Sequence, residues 1–376
     1  MPSITSTLIV GGGIAGLTAA IALGRQGIAC DIVELRGEPA GAAITIQNRA
    51  INAMQDLGLL DQLLEAGAVR RQSEIFRYVD KNGELIPTPP MPPEPEGGLP
   101  SAVVIHRNDL ARILRTAAQE AGAVIHDGCS ISALTQDDDA VTATLSTGAE
   151  RQYDLVLAAD GVASTTRSMV FGDVVVPKYS GTTMFRWVVP GIPDVGPTGF
   201  YQAGSTLVVL VRLRDGSLYL ATGREYDEPP RFDQDEARRI VRENLEQFDA
   251  PLTNEMLKRL DDSSRIVVND YRWLLLPDPW YRGRVLAIGD AAHATTAHLS
   301  SGGAMAIEDA VVLGEELAAG GELPEVLARF MARRFERARL VVETSVQIGE
   351  MLVSGAPGAE QNAVRGRALG ALRQPY

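Results

Sequence analysis

The fold is decided near the start of the chain, by the stretch "STLIVGGGIAGLTAAIALGRQGIACDIVELR" from Ser6 to Arg36. Residues 7–10 form a short apolar run rich in β-branched side chains, and residues 14–26 have a helical composition with an apolar face. A second β-rich run over 29–35 carries Glu34 at its tip. A strand, a glycine turn, a helix and a second strand predict the first unit of a Rossmann-type α/β fold.

Three glycines in G-x-G-x-x-G order open that helix, and each has a physical reason to be glycine. Gly11 permits the tight turn, Gly13 lets the backbone approach a pyrophosphate, and Gly16 lets the helix pack on the strand. The helix N-terminus carries partial positive charge for the phosphates. Glu34 would accept hydrogen bonds from ribose hydroxyls and disfavours a 2′-phosphate. The sequence therefore predicts a bound dinucleotide, either FAD or NAD.

Two more apolar strands end in similar signals far along the chain. "DLVLAADGVASTTRSMVF" (154–171) ends its strand at Asp160-Gly161, and "RVLAIGDAAHATTAHLSSGGAMAIEDA" (284–310) ends its strand at Gly289-Asp290. The second stretch then begins a helix at Gly302-Gly303. Because parallel α/β sheets bind ligands at the carboxyl ends of their strands, we expect all three strand ends to surround one ligand.

Composition excludes several function classes. The chain has 376 residues, is 45% hydrophobic and carries a net charge of −13, which argues against a general binder of nucleic acids or anionic membranes. No apolar run reaches the roughly 18 residues that span a bilayer, and residues 1–7 do not form a signal peptide, so we expect a cytoplasmic protein. Cys30 and Cys129 are expected to be buried thiols. The four histidines lack metal-ligand spacing, so no metal site is predicted.

Coarser patterns predict the remaining elements. We expect a helix over 41–64, strands over 70–86, a proline-rich surface excursion over 87–100 and a helix capped by Asn108 or Asp109. Further on, we expect strands from 178 to about 220, single helices over 234–260 and 304–349, and a tail with little core pattern after Ser354.

The three motifs, in this order, resemble the class A flavoprotein monooxygenases, the family of para-hydroxybenzoate hydroxylase. "GGGIAGL…VELR" resembles the FAD fingerprint of that family, "AADGVASTTR" its DG motif and "GDAAHATTAHLSSGGAMAIEDA" its GD motif; "HRNDLARIL" (106–114) matches a segment whose arginine approaches the flavin. The resemblance covers most of residues 5–350.

The resemblance implies a glutathione reductase-like FAD-binding domain of Rossmann type, with an inserted β-sheet substrate domain and a long C-terminal helix. The FAD-binding domain would comprise residues 1–70, 101–175 and 271–354, and the β-rich substrate domain residues 71–100 and 176–270. Residues 355–376 would be a C-terminal tail.

By the same resemblance, Glu34 binds the adenosine ribose, Arg107 lies near the ribityl-pyrophosphate region and Asp290 binds a ribityl hydroxyl. Asp160 has a structural and pyridine-nucleotide role, and the helix at Gly302 points at the flavin pyrimidine end. The full set of cofactor-binding residues expected is Gly11, Gly13, Ile14, Ala15, Gly16, Glu34, Leu35, Arg36, Arg107, Asp160, Gly289, Asp290, Gly302, Gly303 and Ala304.

The implied reaction uses NADH or NADPH to reduce FAD and then O₂ to form a flavin C4a-hydroperoxide, which hydroxylates a small aromatic or heteroaromatic substrate. His298, in the loop between Asp290 and Gly302, is the first candidate for a base, since an imidazole suits proton transfer near neutrality; a loop histidine bonded to backbone is the equally weighted alternative. By the resemblance, Arg186 lies on a strand that lines the substrate pocket, and it could bind a substrate carboxylate or enolate; a surface arginine on an alternating strand is the alternative of at least equal weight. Tyr201 is a further pocket candidate. His293 is interpreted as structural.

Two alternative functions stay open. The protein could act on a non-aromatic or larger polycyclic substrate, by epoxidation or antibiotic inactivation. It could instead be a non-catalytic FAD- or NAD-binding regulator. The sequence does not decide the oligomeric state, and a homodimer is compatible with it.

Overall fold

The computed structural model describes residues 4–37, 43–91, 93, 98–172 and 175–376. Its helices are α1 (Ile14–Gly24), α2 (Arg49–Asp56), α3 (Leu60–Ala66), α4 (Gln72–Ile75), α5 (Arg107–Glu120), α6 (Thr165–Phe171), α7 (Gln234–Leu245), α8 (Pro251–Arg259), α9 (Asp290–His293), α10 (Gly302–Ala318), α11 (Leu323–Val353) and α12 (Gly358–Leu372).

The strands are β1 (Ser6–Val10), β2 (Ala29–Glu34), β3 (Ala43–Gln47), β4 (Ala68–Arg70), β5 (Tyr78–Val79), β6 (Leu85–Ile86), β7 (Ala102–His106), β8 (Val124–Asp127), β9 (Ile131–Gln136), β10 (Val141–Leu145), β11 (Glu150–Tyr153), β12 (Leu155–Ala158), β13 (Lys178–Val189), β14 (Gly199–Ala203), β15 (Thr206–Arg212), β16 (Leu218–Glu225), β17 (Val267–Trp273), β18 (Tyr281–Arg282) and β19 (Val285–Ala287).

A six-stranded sheet in the order β18-β19-β12-β1-β2-β8 forms the centre of the fold, and all of its pairs are parallel except β18–β19. The neighbouring strands β12 and β19 are apolar and buried along their whole length because both faces of the sheet are covered there. Ile9 faces the core made with α1, α5 and α10, whereas Leu8 and Val10 face the antiparallel sheet β9–β11. This is the Rossmann-type unit expected from the N-terminal stretch.

A seven-stranded sheet in the order β17-β13-β16-β15-β14-β5-β6 forms the second large layer. Helices α7 and α8 cover one of its faces, with Phe185, Leu210 and Leu220 in the shared core. Their neighbours along the strands, such as Met184 and Val209, point to the opposite face, since side chains alternate along a strand. A small antiparallel sheet, β3-β7-β4, completes the described part of the chain.

The structure corrects several expected elements. The helix expected over 41–64 begins as strand β3, which pairs with β7, and Asn48 at φ 55° separates that strand from α2; residues 41 and 42 lie outside the described residues. Helix α5 begins one residue after His106 and has no side-chain cap, so neither Asn108 nor Asp109 caps it. The helix expected over 234–260 is two helices, because Pro251 begins α8.

Two more differences concern the C-terminal region. The helix expected over 304–349 is divided by Gly320 and Gly321, which have φ values of 76° and 109°. The segment after Ser354 is not a tail without a core pattern, since it folds into α12 and buries Leu369 and Leu372.

Part of the proline-rich segment 87–100, residues 92 and 94–97, falls outside the described residues. Among the helices in the described ranges, none is both long and apolar enough to cross a bilayer. The same residues contain no group of three His, Cys, Asp or Glu side chains placed to hold a metal ion.

Candidate active site

One cavity of about 390 Å³ lies where the ends of β1, β12 and β19 meet the uncovered face of the seven-stranded sheet. Gly13 follows β1, Gly161 follows β12 and Asp290 follows β19, and all three residues line this cavity. The three strand ends singled out in the sequence therefore converge on one space, as the carboxyl edge of a parallel sheet allows.

The glycines of the first turn differ in what surrounds them. A Cβ on Gly11, at φ 112°, would lie 2.4 Å from the carbonyl oxygen of Ala159, and a Cβ on Gly16 would lie 1.9 Å from the carbonyl oxygen of Gly11. Both glycines are therefore required by packing. A Cβ on Gly13 would have no atom within 4 Å, and Gly13 lines the cavity together with Ile14 and Ala15. The open backbone at Gly13 fits a ligand phosphate at the N-terminus of α1.

Glu34 lies at the end of β2 beside this turn, outside the cavity lining. Its carboxylate accepts hydrogen bonds from the Gly12 N–H at 2.6 Å and the Arg36 N–H at 2.6 Å. Leu35 is 63% exposed, and Arg36 is exposed. The half-buried carboxylate is thus fixed at the surface next to the glycine turn, where a ribose could reach it.

Asp160 faces its own loop. Its carboxylate accepts hydrogen bonds from Ser164 Oγ and from the N–H and Oγ1 of Thr166, at 3.0 and 2.9 Å. It thereby holds the first turn of α6, which leaves neighbouring Gly161 in the cavity lining. Buried Arg167 of the same motif donates to the carbonyl oxygens of Ala291 and Val162 at 3.1 and 3.0 Å, so it ties this loop to α9.

The turn after β19 presents Asp290 to the cavity. Gly289 has φ 58°, and its N–H donates to Asp309 Oδ2 at 2.8 Å. Surrounding protein atoms raise the pKa of the Asp290 carboxyl, and the charges of His293 and Arg107 oppose that shift. Arg107 also lines the cavity, so a cation and a carboxylate face the same space at this end.

A buried network of charged side chains holds that turn in place. His293 Nε2 lies 2.6 Å from Asp309 Oδ2, and Arg334 of α11 bonds to Asp309 Oδ1 at 2.8 Å and to Glu308 Oε2 at 2.7 Å. Burial alone would raise the pKa of Asp309, but the charges of His293 and Arg334 and the hydrogen bonds to the carboxylate outweigh it and lower that pKa to about 2. His293 is thus buried in this network and does not line the cavity, which agrees with a structural role.

The start of α10 closes the same end of the cavity. Gly302 and Gly303 line the space, and a Cβ on Gly303 would lie 2.7 Å from Ile44 Cδ1; Ala304 is buried behind them. Gln47 of β3 donates to the carbonyl oxygens of Leu299 and Ser300 at 2.9 and 3.1 Å. Sequence reasoning missed this clamp, because residue 47 was assigned to a helix.

The seven-stranded sheet supplies the opposite wall. Met184, Phe200, Leu207, Val209 and Val211 give it a largely apolar surface. Arg186 stands among them: its Nη1 donates to Asn269 Oδ1 at 2.5 Å, and its guanidinium lies 5.5 Å from the centre of the Tyr271 ring. Burial would lower the pKa of Arg186, but Tyr271 and Tyr219 outweigh it and raise that pKa, so the side chain stays charged.

The family of the chain follows from its similarity to known proteins. A family model described as "FAD binding domain" matches residues 4–345. The chain belongs to this family of FAD-dependent monooxygenases. It is 30% identical to "Putative FAD-dependent monooxygenase YetM" of Bacillus subtilis (strain 168), over 98% of this chain and 99% of that protein. It is also 30% identical to the "FAD-dependent urate hydroxylase" of Klebsiella oxytoca, over 89% of this chain and 87% of the relative.

Solved structures share the fold. The crystal structure of Klebsiella pneumoniae HpxO complexed with FAD and uric acid superposes with a TM-score of 0.80 at 22% identity, covering 98% of this chain and 96% of that chain. The fold class expected from the sequence, an FAD-binding α/β domain with an added β-sheet layer and a long C-terminal helix, is thereby confirmed.

Tyr201 of this monooxygenase does not reach the cavity. Along β14, Phe200 points into the cavity and Tyr201 into the core under α7 and α8, where its hydroxyl donates to the carbonyl oxygen of Pro197 at 2.5 Å. Burial raises the pKa of Tyr201 to about 12. The expectation of a pocket role for Tyr201 is corrected by this placement, because adjacent strand residues face opposite sides.

His298 lines the cavity but its ring is held by protein groups. Its Nδ1 lies 2.9 Å from Thr296 Oγ1, and the backbone of Ser345 forms a second hydrogen bond with the side chain. Burial and then the charge of Arg365 lower the pKa of His298 to about 4, in spite of the bond to Ser345. This geometry favours the alternative of a loop histidine over that of a base.

Helix α12 contributes a wall that sequence reasoning missed. Gln361 and Arg365 line the cavity although both lie in the segment taken for a tail. Arg365 is 1% exposed, donates to the carbonyl oxygen of His298 at 3.2 Å, and lies 5.1 Å from the ring centres of both Phe76 and Phe200. No motif marks these residues, and their burial depends on partners far away in the sequence.

Proposed function

We propose that this monooxygenase uses NADH or NADPH, FAD and O₂ to hydroxylate a small heteroaromatic substrate. One observation carries the proposal: a single cavity has the glycine turns and Asp290 at one end and an apolar wall with Arg186 at the other, and the charge of Arg107 acts on both Asp290 and Tyr219. A dinucleotide and a flat ring would then meet in one space shielded by protein.

The residues at the first end fit FAD. We assign the pyrophosphate to the turn around Gly13, where no atom occupies the place of a side chain, and the adenosine ribose to Glu34. Asp290 and Arg107 would bind the ribityl chain, and the N-terminus of α10 at Gly302 would face the flavin ring. When bound, FAD supplies the redox chemistry that passes electrons from NAD(P)H to O₂ and transfers one oxygen atom to the substrate.

The residues of the second end would bind and orient the substrate. Phe200, Leu207 and Val209 offer flat and branched apolar surface, which suits an aromatic ring and excludes water from it. Arg186 and Tyr271 offer charged and polar hydrogen-bonding groups at a limited part of that surface. A ring with a polar edge would therefore be held in one orientation.

The relatives support a heteroaromatic substrate. Urate, named in the hydroxylase relative, is a bicyclic nitrogen heterocycle with polar groups around a flat ring. Such a molecule matches a wall that combines apolar surface with one arginine and one tyrosine.

The same geometry revises the division into domains that we propose. Residues 1–70, 101–175 and 271–354 would form the FAD-binding part, and residues 71–100 and 176–270 the substrate part. Residues 355–376 would belong to the substrate part as well, because α12 lines the cavity beside Phe200.

The test is NAD(P)H oxidation by the purified, FAD-loaded protein, with hydroxylated benzoates, pyridines, quinolones and purines as additions and product mass read in parallel. A heteroaromatic compound that accelerates NAD(P)H oxidation and gains one oxygen atom would support the proposal. Acceleration and oxygen transfer with none of these compounds, but with a non-aromatic alkene or a tetracycline added in the same assay, would replace it with that alternative. FAD that stays oxidised under NADH and NADPH with every compound would contradict it.

A further inference from the structure

Three arginines that line the cavity, Arg107, Arg186 and Arg365, have no carboxylate within hydrogen-bond or ion-pair distance among the described residues. Arg107 is assigned above to the ribityl chain of FAD, which leaves Arg186 and Arg365. Arg186 comes from β13, and the partners of its side chain are Asn269, Tyr271 and Tyr219. All of these partners are neutral.

Arg365 comes from α12 and is more deeply buried. Its polar partners are the carbonyl oxygen of His298 at 3.2 Å, Asn362 Oδ1 at 2.5 Å and the Tyr78 hydroxyl. The faces of its guanidinium lie against Phe76 and Phe200. Its neighbours therefore orient the charge but do not neutralise it.

The other charged groups of the cavity are placed differently. Arg224 is paired with Glu243 at 2.8 Å, so its charge is compensated. The charge of Arg107 acts on Asp290 as well as on Tyr219, and Glu225 is exposed at the end of β16. The substrate end thus has an excess of positive charge, in a chain whose net charge is −13.

Burying a charge is costly unless another group pairs with it. A guanidinium kept without a carboxylate in a cavity wall is therefore suited to a ligand that brings the negative charge itself. The two arginines are connected along the wall, since the Tyr271 ring lies 5.6 Å from the His298 ring and Arg365 bonds to the His298 carbonyl oxygen.

We propose that the substrate binds as an anion, with its negative group on the part of the cavity wall formed by Arg186 and Arg365. This inference rests on the proposed function, because it specifies the substrate of the same site. The shared chemistry is one negative charge on a flat heteroaromatic ring, either as a carboxylate or as an ionised ring N–H or hydroxyl.

Two matched pairs of probes test the proposal on the FAD-loaded protein. Quinoline-2-carboxylate is compared with the neutral quinoline-2-carboxamide, and urate, ionised at neutral pH, with the neutral purine hypoxanthine. Binding is measured by the change in flavin absorbance and by the shift in melting temperature. We expect the anion of at least one pair to bind about tenfold or more tightly than its neutral partner. A preference within the quinoline pair would indicate that the site binds a carboxylate, and a preference within the purine pair would indicate that it binds an ionised ring.

Substitutions locate the effect. Arg186→Met and Arg365→Met should each reduce the preference for the anion severalfold, whereas Arg224→Met, which removes a compensated arginine from the same cavity, should preserve it. Without ligand, Arg186→Met should melt near the wild-type temperature, because Arg186 is only half-buried. Arg365→Met leaves the His298 carbonyl oxygen and Asn362 Oδ1 without a donor and should melt at a lower temperature. If Arg365→Met does not fold, Arg186→Met and the charge-preserving Arg365→Lys decide the question.

Three results would overturn the proposal: equal affinity for acid and amide and for urate and hypoxanthine, no binding of either anion, or an anion preference that survives in both Arg186→Met and Arg365→Met. Because these measurements need no turnover, they separate the two proposals. An anion preference in a protein that hydroxylates nothing would contradict the proposed function alone.

Discussion

The Nε2 atom of His293 lies 2.6 Å from Oδ2 of Asp309, and neither side chain is more than 2% exposed. The same Asp309 oxygen accepts the Gly289 N–H at 2.8 Å, and the other carboxylate oxygen accepts from Arg334 at 2.8 Å. A single buried carboxylate thus joins α10 and α11 to the turn that presents Asp290 to the cavity.

Replacing this carboxylate should be among the most damaging single substitutions. Asp309→Asn leaves Arg334 and His293 without one of their counter-charges, and breaking a buried pair in this way costs about 3–5 kcal/mol. Urea unfolding at pH 7 measures the loss of unfolding free energy. The exposed Asp139→Asn is the control and should change that free energy by less than about 0.5 kcal/mol. A loss below about 1 kcal/mol for Asp309→Asn would contradict a central role for the network.

The pKa of Asp309 predicts a pH dependence of stability at acid pH. The ordinary value is 3.8 and the folded value about 2, so the folded state binds the proton less readily than the unfolded state. The stabilisation is therefore complete above about pH 4 and is lost as the pH falls towards 2. Urea titrations from pH 5 to pH 3 should show a steeper fall in unfolding free energy for wild type than for Asp309→Asn. Parallel curves would show that the pKa of Asp309 is not lowered.

Two glycines of the first motif should respond to alanine in opposite ways. A Cβ on Gly16 would lie 1.9 Å from the Gly11 carbonyl oxygen, so Gly16→Ala must displace backbone, and we expect a loss of about 2 kcal/mol or more without FAD. A Cβ on Gly13 meets no atom within 4 Å, so Gly13→Ala should fold normally but weaken FAD binding about tenfold or more. Melting of the FAD-free protein and flavin fluorescence titration measure the two effects. Wild-type FAD affinity in Gly13→Ala would contradict the placement of the phosphates.

The first turn could be predicted from the sequence because its physics is local. Gly16 packs directly against the Gly11 carbonyl oxygen within one turn. The strand and the helix that flank this turn are adjacent in the chain. Strand β3 was missed for the opposite reason: its structure depends on β7, with Ala43 paired to His106. The contribution of α12 was missed too, since Tyr78 bonds to Gln361 across 283 residues.

Which face of the seven-stranded sheet lines the cavity could not be predicted from the sequence either. In β14 and β15 both faces are apolar, because one packs on α7 and α8 and the other lines an apolar cavity. Without a polar side there is no alternation to distinguish Phe200 from Tyr201. Arg186 of β13 was a candidate because the family resemblance implies that its strand lines the substrate pocket.

Tyr201 and Phe200 point to opposite faces of β14, and substitutions at the two positions test this assignment directly. Tyr201→Phe removes the bond to Pro197 and should cost about 1 kcal/mol of unfolding free energy, with NAD(P)H oxidation unchanged. Phe200→Ala removes cavity wall and should raise the KM for substrate severalfold. Steady-state kinetics and urea unfolding on both variants separate the two roles. Reduced turnover in a fully folded Tyr201→Phe would show that the tyrosine acts in the reaction after all.

His298 should prove to be a structural group rather than the base. Because its pKa is about 4 instead of 6.5, the folded protein takes up no proton at this side chain between pH 8 and about pH 5. The pH profile of kcat/KM above pH 6 should therefore be the same in wild type and in His298→Gln, whose amide can retain the contact with Thr296.

The unfolded state does take up that proton, so the unfolding free energy of wild type should fall as the pH drops from 6.5 towards 4, and His298→Gln should lack this contribution. An ionisation near pH 6.5 in the wild-type kcat/KM profile that disappears in His298→Gln would restore the histidine as a base. If the profile instead stays unchanged while the stability slope changes, the ring serves to hold the loop between Asp290 and Gly302 against α11.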